Sequence, residues 1–124
     1  DTQKASLGNI VLQLNSIYIL IEENMINHIV FWKLKEKAVG KDAIENGTQM
    51  VEMLNDLINK VPGIVKMEAG IDFNRSAAAW DVALFSQFKS IEDLNNYQKH
   101  PEHIKVGDFI KEVVSSRSVV DYEI

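Results

Sequence analysis

The sequence predicts an α+β domain in which one four-stranded antiparallel sheet carries its helices on a single face. Two observations predict it. Apolar residues alternate with the period of two that is typical of strands in four segments, and the segments between them have a helical period. The order of the segments, β-α-β-β-α-β, is that of the ferredoxin-like fold. The length of 124 residues suits one such domain.

The first half of the domain is predicted to run strand, helix, strand. A strand is predicted at residues 27–35, and because large apolar side chains point to both of its faces, it is expected to be central. Residues 41–61 carry an apolar stripe at helical spacing, which ends at Pro62-Gly63. Alternation returns at residues 64–74, which predicts the second strand.

The second half is predicted as a strand, two helical segments and a closing strand. Residues 80–88 alternate again, and Ser90 then has the features of an N-cap for a short helix. Proline is well placed as the first residue of a new helix, so a second segment is predicted from Pro101 to about Ser116. Residues 117–124 are predicted as the closing strand.

The second face of this sheet is expected to be apolar. The helices cover one face of the sheet, and side chains alternate between the two faces. The second face must therefore carry either Ile29, Phe31, Ala83 and Phe85 or the apolar residues that alternate with them along the same strands. An apolar sheet face of that size is an interaction surface. The simplest cover is a second copy of the chain, sheet against sheet about a two-fold axis, so a homodimer is expected.

Residues 1–24 are predicted to lie outside the domain, which occupies residues 25–124. The apolar run at residues 7–21 is interrupted by polar side chains, has one basic residue before it, and is too short to span a bilayer. Three interpretations stay open for this leader: an added segment, a mis-assigned start, or an extra strand or helix that packs on a partner chain.

The composition excludes several kinds of chemistry. The chain has no cysteine, so it has no disulfide, thiolate nucleophile or cysteine-ligated metal. Its net charge of −5 and its two arginines, Arg75 and Arg117, argue against nucleic acid or an anionic membrane as a partner. The glycines form no phosphate loop, so no nucleotide is expected, and no cofactor is predicted. We expect a cytoplasmic domain.

Five segments in order resemble the stress-responsive α/β-barrel (Dabb) family across residues 25–124. They are HIVFWKLK, VPGIVKMEAG, WDVALFSQFKSIEDL, YQKHPEH and VVDYEI. The resemblance implies a ferredoxin-like protomer that pairs through its sheet into a homodimeric α+β barrel. Members of the family include a plant heat-stable protein, boiling-stable ring assemblies and a plant polyketide cyclase, and many bacterial members have no assigned reaction.

The resemblance to the polyketide cyclase suggests candidate catalytic residues. It maps a catalytic tyrosine onto Tyr97, a catalytic histidine onto His103 and a further pocket histidine onto His28. A histidine is a natural general base near neutral pH, and a phenol can stabilise an enolate oxygen. Asp81 and Asp121 also match the family's pattern, and each is expected to bond the backbone or a strand neighbour.

A structural interpretation of the same residues stays open. His100 precedes Pro101 and is expected to cap the following helix, while His103 would close a hydrogen-bond network with Tyr97 and His28. The predicted binding set consists of His100, Trp32 and Phe85, the two aromatic residues as barrel lining. The spacing of His100 and His103 straddles a helix start, so no metal site is predicted.

Two functions from different classes follow. The first is a homodimer with an apolar pocket that binds a small hydrophobic molecule, with its physiological role unassigned. The alternative is a cofactor-free cyclase-like or isomerase-like enzyme that uses His103 as the base and Tyr97 as the oxyanion partner. A cofactor-free monooxygenase, known on the same barrel fold in a sister family, is a variant of the enzyme hypothesis.

Overall fold

The computed structural model describes residues 9–14, 17–22 and 24–124, the first two ranges as strands only. The elements in chain order are β1 (Asn9–Leu14), β2 (Ile17–Glu22), β3 (Ile26–Leu34), β4 (Lys37–Ala38), β5 (Lys41–Asp42), α1 (Ala43–Asp56), β6 (Ile64–Ile71), β7 (Val82–Phe88), α2 (Ile91–Lys99), α3 (Pro101–Val113) and β8 (Val114–Glu123). A short 3₁₀ helix, Leu57–Asn59, follows α1.

The main sheet has the strand order β6-β7-β3-β8, and all of its neighbouring strands are antiparallel. This is the ferredoxin-like arrangement, so the predicted α+β fold class is confirmed. β3 lies between β7 and β8, as predicted from its two apolar faces. β1 and β2 form a separate antiparallel pair, and β4 and β5 form another.

The core lies between the helices and one face of this sheet. Along β3, His28, Val30 and Trp32 point to the helix side and are buried. The other fully buried side chains come from α1, the 3₁₀ helix, β7, α2 and α3; they include Met50, Leu54, Leu84, Phe88, Tyr97 and Val113. Burial of such side chains is the main term that stabilises the domain.

α1 begins two residues later than the predicted start at Lys41. Lys41 and Asp42 pair with Lys37 and Ala38 in the β4–β5 hairpin. Asp42 is the N-cap: its carboxylate accepts from the Glu45 backbone N–H at 2.8 Å, and the Glu45 carboxylate accepts from the Asp42 N–H. This capping box stabilises the start of the helix at Ala43.

The boundary between the two C-terminal helices agrees with the prediction, but the end of the second does not. Ser90 caps α2, and α3 begins at Pro101. α3 ends at Val113 instead of Ser116, because Val114 already has an extended backbone and pairs with Leu34. Hydrogen bonding to β3 replaces the last helical turn.

The second face of the sheet is apolar, as predicted. Ile29, Phe31 and Phe85 are half-buried there, and Ala83 is exposed. Together with the segment after β6, which includes Phe73 at 94% exposure, they border a groove of about 740 Å³.

The predicted interpretations of residues 1–24 stay predictions. Residues 1–8, 15, 16 and 23 lie outside the described residues, and the structure adds only that 9–14 and 17–22 pair as antiparallel strands.

Candidate functional site

A cavity of about 290 Å³ lies between the helix side of the sheet and α3. Its walls are apolar side chains from β3, β7, α1 and α3, with a smaller number of polar groups. The residues that line it are His28, Val30, Trp32, Leu54, Leu84, Tyr97, His103, Val106, Gly107, Ile110, Lys111, Val114 and Arg117. Concave, mostly apolar sites with a few polar groups are typical of small-molecule binding.

Tyr97 projects from α2 into the centre of the histidine cluster. Its ring centroid lies 4.4 Å from that of His103 and 6.4 Å from that of His28. Its side chain is fully buried, and its hydroxyl has no hydrogen-bond partner among the described residues. Burial raises the pKa of Tyr97 far above its usual value. The phenol therefore stays protonated and is available as a donor.

His28 is held by a carboxylate on the neighbouring strand. His28 in β3 is directly opposite Asp121 in β8, and its Nδ1 is hydrogen-bonded to the Asp121 carboxylate. An ionised carboxylate only accepts, so Nδ1 carries the proton. In the neutral imidazole, Nε2 is then the basic nitrogen. As predicted, Asp121 bonds a strand neighbour, and Asp81 bonds the backbone, since its carboxylate accepts from the Leu34 N–H at 2.7 Å.

His103 has the same tautomer for a different reason. It lies in the first turn of α3, and its Nδ1 is 3.1 Å from the Gln98 carbonyl oxygen. Because a carbonyl only accepts, Nδ1 is the donor and Nε2 is again unprotonated. Burial lowers the pKa of His103, and the charges of His28 and Arg117 lower it further, against the opposing effect of the bond to Gln98. His103 is therefore neutral at pH 7.

Trp32 contributes a second unpartnered donor. Its side chain is 4% exposed, and its Nε1–H has no acceptor among the described residues. More than nine in ten buried polar groups are hydrogen-bonded, and leaving one without a partner costs about 1–3 kcal/mol. Two such donors, Trp32 Nε1 and Tyr97 Oη, belong to residues of the same cavity.

The structure separates the predicted site residues into two groups. Tyr97, His103, His28 and Trp32 line the cavity. His100 does not; it is the N-cap of α3, where its Nδ1 accepts from the Glu102 N–H at 3.0 Å. Phe85 does not either, because it points to the opposite face of the sheet and lines the groove there. The structure thus does not join the predicted binding set of His100, Trp32 and Phe85 in one site.

Two basic residues of the cavity were not among the candidates. Arg117 lies opposite Trp32 across β3 and β8, and Lys111 lies in the last turn of α3. Directly opposite residues of an antiparallel pair share a face, so Arg117 is on the helix side with Trp32. Arg117 could have been found from the sequence by pairing the predicted closing strand with the first predicted strand in this register, which places Arg117 opposite Trp32. Within residues 24–124, no three His, Asp or Glu side chains lie close enough together to hold a metal ion.

The structure thus combines a ferredoxin-like α+β fold with a cavity between its sheet and helices that is lined by His28, Tyr97 and His103. The family model of the stress responsive A/B barrel domain, Dabb, matches residues 26–124, and the chain belongs to this family. Over 97 residues it is 30% identical to the stress-response A/B barrel domain-containing protein DABB1 of Arabidopsis thaliana. That match covers 76% of this chain but 43% of DABB1, so the chain spans less than half of the length of this curated relative.

Two solved structures show how far the similarity extends. A dimeric protein of unknown function with a ferredoxin-like fold from Bacteroides fragilis is 33% identical, with a TM-score of 0.72 over 81% of this chain and 96% of that one. The hydroxynitrile lyase from Passiflora edulis is 22% identical, with a TM-score of 0.68 over 82% of this chain and 92% of that one. The second likeness shows the fold alone. None of the helices in the described part of the chain has the length and apolar character needed to cross a membrane.

Proposed function

We propose that this Dabb domain is a homodimer in which the cavity of each protomer binds a small hydrophobic molecule that carries an oxygen acceptor. The observation that carries the proposal is the pair of buried donors, Tyr97 Oη and Trp32 Nε1, in residues that line one cavity. A ligand oxygen would supply the hydrogen bonds that the protein does not make, and its apolar body would contact Leu54, Val106 and Ile110.

The volume sets the size of the ligand. An engineered cavity of about 150 Å³ in another protein holds benzene. The cavity here, at about 290 Å³, is roughly twice as large and would take a molecule of about a dozen non-hydrogen atoms. A small alcohol, ketone or carboxylic acid is therefore a better fit than a nucleotide or a sterol.

The dimer is supported by the sheet's second face and by a relative. Ile29, Phe31 and Phe85 border an apolar groove that the helices of the same chain do not cover. The relative from Bacteroides fragilis, whose structure is dimeric, shares the fold and a third of its residues. A second copy packed on this face would bury the apolar side chains of both protomers.

The ligand proposal is tested by NMR with octan-1-ol as the probe. The chain has two tryptophans: Trp32 lines the cavity, and Trp80 lines the groove on the other face. We expect a saturable downfield shift of the Trp32 indole N–H, because the probe's hydroxyl oxygen accepts from it, with Trp80 as the internal reference. No saturable change at Trp32, or equal changes at both tryptophans, would contradict the proposal.

Gly107 offers a variant that blocks the cavity. It lines the cavity from the middle of α3, and a Cβ added there meets no atom within 4 Å. Gly107→Phe would place its ring in that open space, and we expect it to abolish the octan-1-ol shift while the fold is kept. Ile104→Phe also places a phenyl ring on α3, but at an exposed position outside the cavity, so it is the matched control.

A specific observation favours acid–base catalysis as a second candidate function. His103 and His28 both use Nδ1 in hydrogen bonds to acceptors, which leaves their two Nε2 atoms as bases on rings that flank the Tyr97 ring. A base there would take a proton from the carbon next to a carbonyl. The electrons of the C–H bond would move to the carbonyl oxygen, and Tyr97 would donate a hydrogen bond to the resulting enolate.

Proton exchange tests this candidate without knowledge of the substrate. In D₂O, the enzyme hypothesis expects the protein to accelerate deuterium incorporation next to the carbonyl of 2-octanone, measured by NMR. His103→Gln and Tyr97→Phe should lose the acceleration and still bind the ketone. If the wild-type protein binds 2-octanone and produces no acceleration over buffer, the acid–base candidate is removed and ligand binding stands.

A further inference from the structure

The cavity is basic in a chain that is acidic overall. The chain has a formal charge of −5, yet the described residues that line the cavity include two cations, Lys111 and Arg117, and no aspartate or glutamate. Such a local reversal of sign favours an anionic ligand, because low-dielectric walls strengthen the attraction between charges.

Within residues 24–124, Arg117 and Lys111 have no ion-pair partner. Arg75 pairs with two aspartates, Lys60 pairs with Asp56 at the end of α1, and Lys105 pairs with Glu102 in α3. No such pair involves Arg117 or Lys111 in that range. The nearest acidic side chain on the same face of β8, Asp121, is bonded to His28.

The charge of Arg117 reaches the centre of the site. Arg117 is exposed, but it lies on the same face of the sheet as Trp32 and directly opposite it. Its positive charge acts on both Tyr97 and His103, where it favours the deprotonated form of each and so lowers both pKa values. The positive charge of Arg117 therefore acts on the part of the cavity where Tyr97 and His103 lie.

We infer that the ligand of this cavity is a small monocarboxylate with an apolar tail, an inference that rests on the ligand-binding function proposed above. The Arg117 guanidinium binds the carboxylate through its two parallel N–H groups, and the Lys111 ammonium adds a second positive charge. Trp32 Nε1–H or Tyr97 Oη–H donates to a ligand oxygen, and the tail packs against Leu54, Val106 and Ile110. A single negative charge suits a site whose remaining walls are apolar.

The test compares octanoate with octan-1-ol, which have the same chain length and differ in the charge of the head group. We expect octanoate to bind the wild-type protein at least about ten-fold more tightly by calorimetry at low ionic strength, since ten-fold corresponds to about 1.4 kcal/mol. The preference should shrink as salt is added, because salt screens an exposed ion pair.

Variants of the two cations identify the residues responsible. Arg117→Gln is expected to weaken octanoate binding about five-fold or more and to leave octan-1-ol binding unchanged; Lys111→Gln should have a smaller effect of the same kind. Arg117→Lys keeps the charge but not the planar fork, so it should retain part of the affinity. Lys99→Gln, an exposed change in α2 outside the cavity, is the charge-matched control.

The two possible failures are distinguishable. If octan-1-ol binds as tightly as octanoate, or if Arg117→Gln weakens both equally while circular dichroism shows an intact fold, the carboxylate inference is wrong and the cavity still binds apolar ligands. If neither probe changes the Trp32 indole resonance, the proposed ligand-binding function itself fails.

Discussion

His28 and Asp121 lie directly opposite each other on β3 and β8, and their side chains are hydrogen-bonded on the helix side of the sheet. The two residues are 93 positions apart in the chain. The aspartate fixes the tautomer of a histidine that is 2% exposed, in the same way that a carboxylate orients a histidine in many catalytic and metal sites.

Replacing this carboxylate should destabilise the protein moderately. Asp121→Asn removes the charge that accepts from His28, and because the aspartate side chain is 43% exposed, we expect a loss of about 1 kcal/mol in the free energy of unfolding. Urea unfolding measures it, and ¹⁵N shifts of the His28 ring report the tautomer. Asp108→Asn, an exposed change in α3, is the control. Because the asparagine carbonyl oxygen can still accept from Nδ1–H, the prediction is contradicted if Asp121→Asn loses no more stability than the control.

Removing the Tyr97 hydroxyl should not destabilise the free protein. The hydroxyl is buried without a partner, so Tyr97→Phe removes an unsatisfied donor and keeps the ring packing against Phe88. We expect the free energy of unfolding to stay the same or to rise by about 1 kcal/mol. Tyr122→Phe is the control, because the Tyr122 side chain in β8 is exposed. A loss of more than about 1 kcal/mol would mean that the hydroxyl has a partner in the folded protein.

The stability of the protein should fall on the acid side because of His103. Burial lowers the pKa of this imidazole in the folded state below its ordinary value of about 6.5. Between the two pKa values the unfolded chain binds more protons than the folded one, so the His103 contribution is complete above about pH 6.5 and decreases as the pH falls through that value.

The comparison of wild type with His103→Gln isolates this contribution. Urea midpoints measured from about pH 7.5 to pH 5 should fall less steeply for the variant, since it has no titrating group at this position. An NMR titration of the His103 ring in the folded protein checks the direction of the pKa shift independently. Parallel pH curves for the two proteins would show that His103 titrates alike in the folded and unfolded states.

Two helical glycines should respond differently to alanine. Gly107→Ala adds a methyl group to open space and gains the helix preference of alanine, so we expect about 0.5–1 kcal/mol of added stability. In Gly47→Ala the new Cβ would lie 2.9 Å from Leu34 Cδ1, and the necessary shift of that side chain should make the gain smaller or reverse it. Thermal or urea unfolding of both variants measures the difference. Equal gains would mean that Leu34 moves aside freely.

The proposed dimer can be dissociated by a charge on the sheet's second face. Phe31→Glu places a carboxylate in the apolar groove, and we expect the mass from light scattering to fall from about twice 14.1 kDa to 14.1 kDa. Ile104→Glu, on the exposed side of α3, should leave the mass unchanged. A wild-type mass of one protomer would contradict the dimer at once.

Much of the fold could be predicted because its signals are local. The alternation in β3, β6, β7 and β8, the Ser90 cap and Pro101 at the first position of α3 all depend on residues close in sequence. The errors lie at element ends. The start of α1 is set by the local β4–β5 hairpin and the Asp42 capping box. The end of α3 is decided by the pairing of Val114 with Leu34, because hydrogen bonding to a distant strand outweighs the weak preference of one or two residues for a helix.

The candidate site could be predicted only in part. The sequence by itself determined the class of each element, the family pattern and the identities of Tyr97, His103 and His28 as candidates. Only the tertiary structure decided that Trp32 lines their cavity while Phe85 lies on the opposite face, and that His100 caps α3 instead. It also brought Arg117 and Asp121 beside β3. The physical reason is register: a shift of one residue exchanges the two faces of a strand, and register is set by long-range pairing.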